Sequence, residues 1–120
     1  MNADSLLENR TSHDPLVIFG MNGESVSLPC VGEPIRLSEE RRVASTLTVS
    51  GVAVPIVEQS YGAPSPLPAP AAGVWHVVSQ LVVSALPNRG DLLFPVDLVR
   101  DDRGNIVGCR ALARSATGRR

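Results

Sequence analysis

Two turn signatures, each set between short apolar runs rich in β-branched residues, constrain this chain more than any other feature. The first is Gly20-Met21-Asn22-Gly23, between Leu16-Val17-Ile18-Phe19 and the alternating Ser25-Val26-Ser27-Leu28. The second is Asp101-Asp102-Arg103-Gly104-Asn105, between Leu98-Val99-Arg100 and Ile106-Val107-Gly108-Cys109. Asn and Gly accept the positive φ that tight hairpin turns demand, so hairpins are predicted over residues 16–28 and 98–112. Ile35-Arg36-Leu37 reads as a third short strand. The most charged run, Ser38-Glu39-Glu40-Arg41-Arg42, reads as a solvated loop or a single helical turn. Residues 43–49 and 52–58 are rich in Val, Thr and Ile around a Ser50-Gly51 turn and read as two strands. Pro55 suits an edge or a bulge in the second of them.

Residues 62–73 hold Pro64, Pro66, Pro68 and Pro70, a spacing that reads as an extended crossover with polyproline character. Val74-Trp75-His76-Val77-Val78 is the strongest strand. Ser79 is placed to cap a short helix over residues 80–86, stopped by Pro87. Leu92-Leu93-Phe94 reads as a strand ended by Pro95. The fold class expected is mainly β, a compact antiparallel barrel- or sandwich-like domain with one short helix, and not a parallel α/β sheet. A chain of 120 residues with 43% apolar content suits one such domain. Its expected organisation is a loose N-terminal arm over residues 1–14, a single mostly-β domain over 15–113, and a basic flexible tail over 114–120.

Composition narrows function mainly by exclusion. Aromatics are 3%, namely Phe19, Tyr61, Trp75 and Phe94, too few for a base-stacking surface. Eleven arginines, with no lysine, face twelve acids for a net charge of −1, and up to residue 113 only eight arginines oppose those twelve. A body acidic by four does not bind phosphate backbones broadly, although a few arginines can still grip one small anion. Direct nucleic-acid binding is therefore not expected. No stretch is long and apolar enough for a membrane helix, and residues 1–10 lack a signal pattern, so no membrane association and a cytoplasmic location are expected. Cys30 and Cys109 are then expected as reduced, largely buried thiols. The spacing of Cys30, Cys109, His13 and His76 fits no local zinc site, and no cofactor or metal is expected.

Dinucleotide, Walker, zincin and nucleophile-elbow motifs are all missing, which argues against an enzyme. His76 lies within a strand and reads as a sheet histidine. Asp101 and Asp102 serve a turn. What remains is a polar cluster around the short helix: Tyr61, Trp75, Ser79, Gln80, Arg89 and Asp91. Backbone donors beginning at Ser79, the Arg89 guanidinium and an aromatic wall from Tyr61 or Trp75 would together suit a small anion such as a nucleotide. The plainer reading, that these residues cap and hold the helix, carries more weight than the ligand reading.

Residue order also resembles a family of small proteins found in phages and prophage-rich bacterial regions. Its members often open with Asn-Leu-Thr-Pro-His, against Asn9-Arg10-Thr11-Ser12-His13 here. The chain departs from the family over Val31 to Leu37. It follows family order again through Pro55-Ile56-Val57, Tyr61-Gly62, Leu67-Pro68, Val77-Val78-Ser79, Pro87-Asn88-Arg89-Gly90-Asp91-Leu92-Leu93 and Val99-Arg100-Asp101-Asp102. The resemblance implies a phage-linked accessory protein acting in the host cytoplasm, of a kind that often counters host immunity. Such a protein would sequester a small nucleotide signal within a homo-oligomer, or bind a host defence protein directly in the manner of an anti-CRISPR inhibitor. A virion structural component is the third class.

Overall fold

A computed structural model describes residues 5–116 of the chain. Arg119 and Arg120 of the expected tail, and the first four residues, lie outside the described residues. The elements run β1 (Leu6–Asn9), β2 (Leu16–Phe19), β3 (Ser25–Leu28), β4 (Arg36–Val49), β5 (Val52–Ser65), β6 (Val74–Val77), α1 (Gln80–Ala85), β7 (Leu92–Arg100) and β8 (Ile106–Ala113). With 55% strand, 5% helix and a nearly closed barrel-like sheet, the protein is mainly β, as its turn signatures predict.

Both predicted hairpins are present. In β2–β3 Leu16 lies opposite Leu28, and in β7–β8 Val96 lies opposite Ala111 and Leu98 opposite Cys109. Gly23 and Gly104, at φ +93° and +83°, supply the left-handed turn positions. The body sheet has the order β1-β6-β7-β8-β2-β3. Its pairing is mixed, not wholly antiparallel: β1–β6, β6–β7 and β2–β8 are parallel. Parallel neighbours need a crossover, and α1 supplies the one between β6 and β7. Ser79 caps that helix by accepting from the Val82 amide at 3.4 Å.

Residues 6–9, expected in a loose arm, instead form β1. Their backbone is claimed by β6 along the register Leu6 to Val74 through Asn9 to Val77. From the end of β1, the Val31 amide donates to the Asn9 carbonyl at 2.9 Å and the Ile35 amide to the Arg10 carbonyl at 3.0 Å. These contacts bring the two ends of the six-stranded sheet together. Inside, Ile35, Val78, Val82, Val83 and Leu92 form the core, with Leu37, Leu86 and Phe94 packed against it.

Three further expectations are corrected. The charged run Ser38–Arg42, read as a loop or helical turn, lies within β4, because both faces of that strand meet solvent and charge costs nothing there. Pro95 does not end β7. It sits opposite Leu112, beyond Leu93 where pairing with β6 stops, so its missing N–H leaves no neighbour unbonded on that side. Cys30 is half-buried, whereas Cys109 is completely buried, and both thiols are free. The Cys30 thiol donates to the Thr11 carbonyl at 3.2 Å. Burial raises the pKa of both thiols, with the Asp14 carboxylate adding to the effect at Cys30. Thiol labelling of the native protein is expected to modify Cys30 slowly and spare Cys109, with both reacting after denaturation.

Strands β4 and β5 stand apart as a two-stranded sheet. Leu37 and Pro64, at its root, are its only half-buried residues; the rest are exposed. This arm stretches the molecule to 64 × 37 × 27 Å and raises its radius of gyration to 17.8 Å. A compact domain of this length would have about 14 Å.

Candidate functional site

Where the arm joins the body, chain direction changes twice and leaves a groove of about 410 Å³. Its floor is apolar, made by Leu16, Ile35 and Val78. Leu81 of α1 and Leu98 of β7 form part of its lining and remain 44% and 45% exposed. Its polar lining comes from Thr11, Ser12, His13, Arg36, Glu39, Tyr61 and Ser79, so the Arg36 guanidinium shares the groove with the Glu39 carboxylate. A volume in this range, with an apolar floor and polar groups around it, suits a small organic molecule or the side chains of another protein.

The six residues singled out in the sequence do not converge on one place. Tyr61 and Ser79 line this groove. Trp75 lines a separate depression with Leu7, Leu93, Leu112 and Arg114. Gln80 is exposed at the start of α1. Arg89 and Asp91 line neither and engage each other: Arg89 Nε and Nη2 donate to the two Asp91 carboxylate oxygens at 2.8 Å each, and Nη2 also reaches the Pro68 carbonyl at 3.1 Å. The Nε and Nη2 donors are thus turned toward the protein, where they fasten the proline crossover to the turn before β7.

This pair ends a chain of close polar groups that runs across β1 and β6. Arg10 donates to Glu8 at 2.9 Å; Glu8 lies 3.3 Å from His76 Nδ1; His76 Nε2 lies 3.8 Å from Asp91. Glu8 and His76 are register partners, so strand pairing itself sets their contact. At 2% exposure, His76 presents its ring to these two carboxylates and not to an outside molecule.

The Arg89 hydrogen bonds hold the Asp91 carboxyl below its usual value of 3.8, against burial, which pushes the other way. A carboxylate with a depressed folded-state pKa stabilises the fold fully above its ordinary pKa and loses that contribution as pH falls through the lower folded value. Melting temperature is therefore expected to drop below about pH 4, with a smaller acid step in Asp91→Asn. At neutral pH, Arg89→Ala is expected to cost about 2 kcal/mol, the scale for charged hydrogen bonds.

Sequence reasoning missed Asn9, which is completely buried. Its Nδ2 donates to the carbonyls of His13 at 2.7 Å and Leu28 at 2.9 Å. Its Oδ1 accepts from the Thr11 amide at 3.0 Å and the Thr11 hydroxyl at 2.6 Å. All four hydrogen-bonding positions of the amide are used. Residues 9–13 were noted only for their resemblance; the Asn-x-Thr spacing, which permits a side chain to bond the amide two residues on, was the readable signal.

Comparison of the chain with protein-family models, with curated proteins and with solved structures finds no match in any of the three. Among the described residues, no helix is long and apolar enough to cross a membrane.

Proposed function

We propose that this is a phage-linked accessory binding protein of the host cytoplasm that works by protein contact through its β4–β5 arm and catalyses no reaction. The observation that carries this reading is the outer half of the arm. Leu47, Val49, Val52, Val54 and Ile56 are each 41–61% exposed, and none of the described residues covers them. A lone two-stranded hairpin is marginal in water, and an uncovered apolar sheet face marks an interaction surface. A host defence protein or a virion component would engage such an arm in the same way.

The test is a chain in which an Asn-Gly turn replaces residues 43–57. Its body should melt like the wild type, since Leu37 and Pro64 remain. In extracts of infected cells, arm amides of the intact chain should exchange slowly, and the shortened chain should lose the biological effect. Fast exchange of the arm under all conditions, with the effect retained on shortening, overturns the reading.

The groove supports a second reading, sequestration of a small anionic nucleotide. Tyr61 offers a ring and Arg36 a guanidinium at its edge. Calorimetry against cyclic and linear nucleotides decides it: binding that is lost in both Tyr61→Ala and Arg36→Ala places the nucleotide there. Absence of binding at millimolar concentration removes this reading.

A further inference from the structure

We infer that Asn22, at the tip of the β2–β3 hairpin, is a site of spontaneous covalent modification: its side-chain amide is lost as ammonia, and part of the product is isoaspartate. The reaction is independent of whatever the arm or the groove engages.

The chemistry asks three things of an asparagine. Its side chain must be free to turn back on the main chain, the next residue must be unhindered, and the next amide must be able to give up its proton. That amide nitrogen attacks Cγ, forming a C–N bond and closing a succinimide ring. The nitrogen's proton goes to water, while Nδ2 takes up a proton and leaves with its bonding pair as ammonia. Water then opens the ring at one of its two carbonyls. Breaking the new bond to Cγ gives aspartate. Breaking the original bond to the main-chain carbonyl carbon gives isoaspartate, with the chain now running through Cβ and Cγ. Nothing is oxidised or reduced, and water is the sole co-reactant.

Among the described residues only Asn22 meets all three conditions. It is exposed, and its side chain has no hydrogen bond to any described residue. Gly23 follows it, and a β-carbon at Gly23 would meet nothing within 4 Å, so the approach is open. The Gly23 amide donates to the Gly20 carbonyl at 3.4 Å, beyond the usual range of about 2.7–3.2 Å, so little holds its proton. The other described asparagines are each held back. Asn9 is completely buried with its amide fully bonded, and the Arg10 amide donates to the Val77 carbonyl at 2.8 Å. Asn88 is exposed, but the Arg89 amide after it donates to the Leu86 carbonyl at 3.0 Å. Asn105 precedes Ile106, whose branched β-carbon crowds the approach and which lies in register with Arg100.

The turn also decides what the product does. Gly23, at φ +93°, and the 2.6 Å bond from the Gly20 amide to the Glu24 carbonyl close the hairpin over a fixed run of main-chain atoms. Isoaspartate adds one atom to that run and spoils the closure. Phe19 opposite Ser25, the first pair below the turn, opens next. The Arg110 guanidinium lies 5.6 Å from the centre of the Phe19 ring, and Ile18 is one of only two β2 residues in register with β8. Fraying from the tip therefore works toward the join between β2 and β8.

The experiment is timed incubation of the full chain in neutral buffer, followed by peptide mapping with mass spectrometry and by labelling with an isoaspartyl methyltransferase. Anion exchange then separates the acidic products for hydrogen exchange. Asn22 is expected to convert at least tenfold faster than Asn9, Asn88 or Asn105, and within tenfold of its rate in the urea-unfolded chain. Asn22→Gln should remove both the acidic product and the methyl labelling without shifting the melting temperature, since the side chain it replaces has no partner. In the isoaspartate fraction the Gly20 amide should exchange at least tenfold faster than in the unmodified chain. Asn22→Asp, which has the charge without the added atom, should keep that amide protected. Native protein in which Asn22 converts no faster than the other three overturns the inference, as does conversion to aspartate alone. If isoaspartate forms and the Gly20 amide stays protected, the site stands and the loosening of the hairpin is overturned.

Discussion

Asn9→Leu is expected to lower the melting temperature by roughly 12 °C, following a loss of about 3–4 kcal/mol. The change removes four hydrogen bonds at a completely buried side chain and leaves the Leu28 and His13 carbonyls and the Thr11 amide without that partner. Each buried group deprived of its partner costs about 1–3 kcal/mol, partly relieved by local shifts. Asn9 acts at the join between β1 and β3, the two end strands of the sheet, so the loss falls on ring closure. Asn9→Asp is nearly isosteric but sets a carboxylate oxygen against two carbonyls, and it should be similarly damaging. Thr11→Val should cost less, since only its hydroxyl is lost. Thermal melts of the three variants check this ordering, and Asn9→Leu melting within two degrees of the wild type would falsify the assignment.

Gly108→Val is expected to cost about 3 kcal/mol, at the upper end for overpacking a filled site. A β-carbon at Gly108 would stand 2.3 Å from the Val17 carbonyl oxygen and 3.0 Å from the Phe19 ring. The obstruction is backbone, so β2 itself must move. Only Val17–Gly108 and Ile18–Cys109 are in register between β2 and β8, leaving little pairing to hold the strands together once displaced. The β2–β3 hairpin should therefore come loose as a unit. Hydrogen exchange would show β2 amides losing protection while β6 and β7 amides keep theirs; uniform loss would instead indicate global destabilisation alone.

What could be read in the sequence is what is local. Gly23, Gly104 and the Ser50-Gly51 pair announce their turns, and Ser79 announces its helix, because the chemistry of each lies within a few residues. Parallel pairings carry no such mark. Nothing near Leu6-Leu7-Glu8 indicates that β6 will claim it, so this segment read as loose. The run from Ser38 to Arg42 misled for a related reason: a strand exposed on both faces has no alternation to display. The candidate site fared similarly. Tyr61 and Ser79 meet at the groove, but Arg36, His13, Leu81 and Leu98 reach it from separate elements. The mutual pairing of Arg89 with Asp91 was open to reading from their spacing, which lets one side chain reach the other across a single glycine.

Strand order also sets when the barrel can form during synthesis. Strand β8 lies between β7 and β2, so a chain still lacking that strand holds two fragments, β1-β6-β7 and β2-β3, that meet only through the contacts of Asn9 and Arg10 at the other end of the sheet. Both hairpins of the first half, β2–β3 and β4–β5, can assemble from neighbouring residues as they emerge, but β1 must wait for β6 and β2 for β8. Long-range contacts of this kind slow folding and prolong the life of partly assembled chains. The arm, complete early and open at both edges, thus presents unpaired strand edges before the body beside it has closed.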